Sequence, residues 1–425
     1  MKLVIKRARI IDPTQGIDQI GDLLVEDGII LGIERNIELS DAKVINAENK
    51  WIMPGIVDIH VHLRDPGQEW KEDIETGTKA ALFGGVLRVA CMPNTSPVND
   101  SPEVTSYIIK KAKEKGYVKV YPIAAITKGQ KGKELTEFGR LIAAGAVGFS
   151  DDGKWVENSE IMRRALLYAS QLNAPIISHP EDPTISEGGQ INLGKLSAKL
   201  GLKGIPSSAE AIAVARDLIL CKETKGKLHL AHISAKDSVK LLYWAKEEGI
   251  PFTAETCPHY FLLTEEEVDN YNTLAKVNPP LRTKEDVLAI KEALKDGIIE
   301  VIASDHAPHS VLEKNVEFEL ASPGMIGVQF LLSFSLCLVK EGYLTPLKLA
   351  EYLTLNPSKV IGISPPSLKP GEKAEFVLIN PEKEFVITEE IIKSKSKNTP
   401  FLGKTFTGAV EKVFVKSKVF EVFFQ

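Results

Sequence analysis

The chain has 425 residues, 44% apolar and 26% charged, proportions that exclude a disordered or fibrous protein. Its 52 basic and 57 acidic residues leave a net charge of −5, without the basic footprint that non-specific nucleic-acid or anionic-membrane binding requires. The length fits two or three domains, or one α/β barrel with a remainder.

The N-terminal segment MKLVIKRARIID is basic but has no continuous apolar core of a signal peptide. The next segment, LLVEDGIILGI, places two apolar runs around Asp27-Gly28, a strong hairpin signal. Past Gly371, AEFVLI, EFVI and AVEKVFV are strand-like again. Both chain ends are thus expected to build one small β-sandwich domain, from residues 1–53 and 365–425.

Residues 54–364 alternate. The runs VDIHVHL, LRVACM, VKVYPIAAI, AVGFS, APIISH, LHLAHI, PFTAETC and EVIASD are each followed by a helical pattern. Ser101-Pro102 offers an N-cap with proline at the first helical position, and Ser207 with Glu210 reads as a capping box. Gly116, Gly145, Gly226, Gly249 and Gly297 stand where helices should end. Eight β-then-α units are the count of a (β/α)8 TIM barrel. A doubly wound sheet is the rival, but no G-x-G-x-x-G follows any strand. The longest apolar stretch, Met325 to Val339, is interrupted by Gln329, Ser333 and Ser335 and reads as a buried helix, too short to span a membrane. Four scattered cysteines indicate a reducing compartment and no thiolate zinc site. A cytoplasmic location is expected.

Most of the eight histidines fall at or just past a barrel strand's end, where barrel active sites are built. His60 and His62 are two apart and share a strand face, so they are a metal pair or a costly burial. His179 ends the fifth strand, His232 the sixth and Asp305 the eighth. His229, three before His232, points the other way and reads as packing or as support behind a ligand. His306 should face away from Asp305. Of the adjacent Asp151 and Asp152 at most one can be a ligand. Asp58, on the His60 face, is expected to orient a histidine. Imidazoles with a carboxylate suit zinc, with manganese or iron as alternatives.

HVHLRDPGQEWKEDIETGTKAA at the first strand, CMPNT at the second, SDDG at the fourth, VNPPLR after the seventh and SDHAPH at the eighth resemble the bacterial class I dihydroorotases of the amidohydrolase superfamily, over essentially the whole chain. The resemblance implies that His60, His62 and Asp305 hold a first zinc ion and His179 and His232 a second, with Asp152 bridging. Many superfamily members bridge with a carbamylated lysine. Here Lys154 lies beyond the turn, so the first ion should be firmly bound and the second labile. It further implies that Arg64, Asn94 and Asn278, with His62 and His309 beside them, bind the substrate carboxylate. Arg64 continues the His60–His62 face, and its guanidinium fork suits a carboxylate. Pro323 and Gly324 match a backbone contact to the ring, although the sequence before them, EFELAS, departs from the family pattern.

The implied reaction is the reversible cyclisation of N-carbamoyl-L-aspartate to L-dihydroorotate and water, the third step of de novo pyrimidine synthesis, with Asp305 carrying the proton. A hydantoinase- or allantoinase-like cyclic amidase is one alternative. A non-catalytic scaffold for aspartate carbamoyltransferase is another, disfavoured because all six ligands are present. A complex with that transferase and a homo-oligomer remain expectations for a catalytic chain. The glycine-rich stretch 181–208 is long for a βα loop and reads either as a lid or as a surface excursion with a short helix.

Overall fold

The computed structural model describes residues 2–422. Strands Ile56–Val61, Val86–Cys91 and Lys119–Pro122 form a parallel three-stranded sheet. Phe149–Ser150, Ile176–Ser178, Leu228–Leu230, Phe252–Thr256 and Val301–Ile302 form a parallel five-stranded one. Bridges Ala124–Phe149 and Val61–His306 close both seams, giving an eight-stranded barrel. Its first two strands are buried at every residue, as expected where helices cover a parallel sheet.

Helix starts follow local chemistry where the capping side chain is free to act. Asp73 and Thr76 form a capping box, as do Thr283 and Asp286, and Ser101 accepts from the Val104 N–H. The Ser207–Glu210 capping box does not form. The helix Ser207–Thr224 has no side-chain cap; Ser207 donates to Asp237, and Glu210 accepts from the backbone of Ser234 and Ala235. A carboxylate that can satisfy buried donors in the loop after the sixth strand is worth more there than at an exposed helix end. The Met325–Val339 stretch forms a 3-10 turn and the helix Leu331–Lys340, buried along most of its length.

The two chain ends build one hydrogen-bonded sheet of eight strands. Trp51–Pro54 lies at its centre, parallel to Lys2–Asp12 and antiparallel to Glu375–Val386, so N- and C-terminal parts are adjacent. AEFVLI and EFVI are a single strand, Glu375–Val386, with register shifts. Phe376 and Leu378 face the domain's own core with Ile5, Ile10 and Phe414, while Val377 and Ile379 pack in the barrel's cluster. Period-two alternation thus buries both faces. Among the described residues no helix is long and apolar enough to cross a membrane.

Candidate active site

Within the first strand, the Asp58 carboxylate accepts from the backbone N–H groups of His60 and Ser304. The expectation that it orients an imidazole is corrected: Asp58 pins the first strand to the eighth, drawing His60 and His62 towards Asp305. The His62 N–H donates to the His306 carbonyl, 2.8 Å away, and reinforces that seam. Arg64, His232 and Asp305 have left-handed φ angles of 59°, 37° and 44°. Side chains with a Cβ resist this conformation, so the sharp turns after strands one, six and eight hold strain where polar groups must swing over the barrel mouth.

Four imidazoles and two carboxylates meet there. His62 Nε2 lies 3.1 Å from Asp305 Oδ1 and 3.4 Å from Asp152 Oδ2. His60 Nε2 is 3.3 Å from Asp152 Oδ1 and 3.5 Å from Asp305 Oδ1. His179 Nδ1 and His232 Nε2 are 2.8 Å apart, each 3.6 Å from Asp152 Oδ1. Two triads hold their ligand atoms within 4.8 Å of one another, His60–His62–Asp305 and His60–Asp152–His232. His60 Nε2 and Asp152 Oδ1 are buried without a hydrogen-bond partner. Orphaned buried lone pairs are costly, and a divalent cation fits this donor set.

Electrostatics agree. Burial pushes the Asp152 and Asp305 carboxyls up, but the neighbouring histidines outweigh it and hold both well below the ordinary range. Burial, aided by Arg64, lowers His62. Burial brings Arg64 to about 10 and, with the Arg64 charge, His309 to about 2, so the latter is a neutral imidazole.

A cavity of about 230 Å³ lies above this centre. Of the residues singled out from the sequence, all the proposed ligands and substrate contacts line it except His60, which lies beneath. Asn94 Oδ1 is 2.8 Å from His62 Nδ1, and Asn278 Nδ2 is 3.4 Å from His179 Nε2, so both amides also steady a histidine. His309 Nε2 lies 2.9 Å from the Pro323 carbonyl and 3.3 Å from Arg64 Nη2. Gly324 has φ +136° and no room for a side chain: a Cβ would stand 2.8 Å from that of Ala307. Asp151 turns away and accepts from Thr127, His306 turns to Glu72, and Lys154 reaches the Gln130 carbonyl.

Three supporting residues escaped sequence reasoning. Glu255 stands behind His60, and its signal was an acid inside a buried strand. Glu72 holds His306 and accepts from the Lys395 N–H. Asn398 accepts from the His309 N–H and donates to the carbonyls of Ala307 and Gly324. It comes from the C-terminal part of the chain, where no local pattern marks it.

Residues 49–238 match the family model described as dihydro-orotase-like. The chain is 52% identical over 418 residues to a dihydroorotase of Acetivibrio thermocellus, covering 98% of each chain. It is 49% identical to one of Geobacter metallireducens, covering 99% of each. Among solved structures it resembles the L-hydantoinase (dihydropyrimidinase) of Arthrobacter aurescens with a TM-score of 0.86 at 26% identity, covering 98% of this chain and 95% of that one. A dihydropyrimidinase from Brevibacillus agri, 22% identical with a TM-score of 0.86, shares the fold, covering 99% of this chain and 95% of that one.

Barrel, attached sheet and histidine–aspartate centre define a metal-dependent amidohydrolase, an enzyme that hydrolyses a cyclic amide. Within that class, the chain belongs to the dihydroorotase family.

Proposed function

We propose that this chain is the dihydroorotase of pyrimidine biosynthesis, interconverting N-carbamoyl-L-aspartate and L-dihydroorotate. The observation that carries the reading is Arg64 beside the histidine–aspartate centre: a buried guanidinium facing the same cavity, with Asn94, Asn278 and His309 around it. Such a cation, desolvated and flanked by hydrogen-bonding groups, matches a substrate that carries a carboxylate next to its reacting ring. A hydantoinase-type site needs a bridging lysine, and Lys154 points elsewhere.

In this reading His60, His62, Asp152, His179, His232 and Asp305 hold zinc. A divalent ion bound by them supplies Lewis acidity, lowering the pKa of water from about 15.7 towards about 7 and polarising the ring carbonyl. Arg64, Asn94, Asn278 and His309 fix the substrate carboxylate, and the backbone of Pro323 and Gly324 lines the ring's edge. In hydrolysis the Asp305 carboxylate takes a proton from the attacking water as its oxygen bonds to the carbonyl carbon. The C–N bond then breaks, and Asp305 returns the proton to the leaving ring nitrogen. Cyclisation reverses each transfer. The low-lying Asp305 carboxyl starts each hydrolytic turnover ionised.

The chain is read as a cytoplasmic homo-oligomer able to associate with aspartate carbamoyltransferase. The purified chain, assayed with L-dihydroorotate with and without zinc and that transferase, should open the ring. Failure under every condition, with turnover of a 5-substituted hydantoin instead, would overturn the reading. Co-elution with the transferase tests the association.

A further inference from the structure

His60 is the one residue common to both ligand triads, so its ring orientation governs the whole centre. Its Nε2 faces the carboxylates of Asp152 and Asp305, and its Nδ1 lies 2.5 Å from Glu255 Oε1. Both side chains are fully buried. Glu255 Oε2 is in turn 3.1 Å from His229 Nε2, and His229 Nδ1 is 2.7 Å from Thr253 Oγ1. Residues Thr253 and Glu255 are two apart on the seventh strand, and His229 on the sixth is the register partner of Thr253. The four side chains therefore form a file down the barrel interior, from the ligand centre to a pocket lined by Pro175, Lys227, Pro251 and Thr253.

The other imidazoles have weaker support. His62 Nδ1 meets the neutral amide of Asn94, and His232 Nδ1 has no partner. Burying a carboxylate in a barrel strand is costly unless its oxygens are satisfied, and here both are. Glu255 is consequently locked, with no free oxygen to rotate. A carboxylate at Nδ1 keeps the proton on that nitrogen and leaves the Nε2 lone pair for a cation, strengthening the imidazole as a donor.

We propose that Glu255 is a positioning residue, held by His229 and Thr253, that fixes the His60 tautomer and orientation and thereby sets the affinity of the metal centre. The proposal rests on the metal-binding reading of His60. Zinc alone is the probe, titrated into metal-free protein against a chromogenic chelator. Glu255→Gln, nearly the same shape without the charge, should weaken the tightest zinc site about 10–100-fold. His229→Asn and Thr253→Val should weaken it by progressively less. In zinc-loaded wild-type protein labelled with 15N-histidine, the His60 Nδ1 proton should appear as a strongly downfield, slowly exchanging signal absent from Glu255→Gln.

His60→Ala separates the two readings. Unchanged zinc affinity in His60→Ala would sink the metal assignment itself. Lost affinity in His60→Ala, with wild-type affinity in Glu255→Gln and His229→Asn, would sink the positioning role alone. Should Glu255→Gln fail to fold, unchanged zinc affinity in Thr253→Val together with a wild-type His60 ring lacking an Nδ1 proton would reject it equally.

Discussion

In the proposed function Asp305 takes on two duties, as metal ligand and as proton carrier. It sits at a left-handed turn, 3.1 Å from His62 and within reach of His60, and is ionised because those imidazoles outweigh its burial. Asp305→Asn keeps the shape but removes the proton acceptor, so kcat for dihydroorotate should fall about 10²–10⁴-fold while dihydroorotate still binds. Steady-state kinetics with a binding isotherm check this; a near-normal kcat would remove Asp305 from its role. The histidines and aspartates that cluster here were legible in the sequence because strand periodicity and strand ends are local properties. Strand alternation alone left Asp151 and Asp152 open and only the family resemblance pointed to Asp152; in the structure Thr127, 24 residues away, holds Asp151 outward.

The elements around the mouth are fastened by buried cations. Lys276 donates to Gln190 and to the carbonyls of Phe318 and Glu319, while Lys314 donates to those of Thr273 and Lys276. Stretch 181–208 is thus an excursion with its own short helices and a two-stranded ribbon, and Arg282 ties it down through Asn192 and Ile205. Burial, with the nearby Lys276 charge, lowers Lys314 to about 7. An unfolded lysine titrates near 10.4, so between about pH 7 and about pH 10 the unfolded chain holds a proton the folded one has shed. Stability from this group should therefore rise with pH across that window. The thermal midpoint of wild type minus that of Lys314→Met should grow from pH 7 to about pH 10; a constant difference would reject the assignment. The missing capping box belongs to this scale too, because Glu210 instead holds the backbone of Ser234 and Ala235 in the loop after the sixth strand.

For the whole molecule, the acidic balance offers no general attraction to an anionic substrate, so the proposed recognition rests on Arg64, its neighbours and a bound cation. His60 belongs to both triads and offers one lone pair at Nε2, which in the proposed reading can serve only one ion at a time. In the proposed reading, zinc-loaded protein dialysed against a mild chelator should therefore retain one ion per chain. Two ions surviving dialysis, measured by elemental analysis, would contradict this. The C-terminal part does more than complete the sheet, since Asn398 and Lys395 support the catalytic face.

By itself the sequence determined the barrel, the β-forming ends, the strand ends that carry the histidines and aspartates, and the family motifs. Each follows from alternation, punctuation or spacing within a few residues. Only the tertiary structure decided that Glu255 backs His60 across 195 positions, that Asn398 holds the Gly324 carbonyl, and that the two chain ends join through Trp51–Pro54. Periodicity records which way a side chain points from its own strand. Which distant group fills the space it points into depends on how the strands close around the barrel.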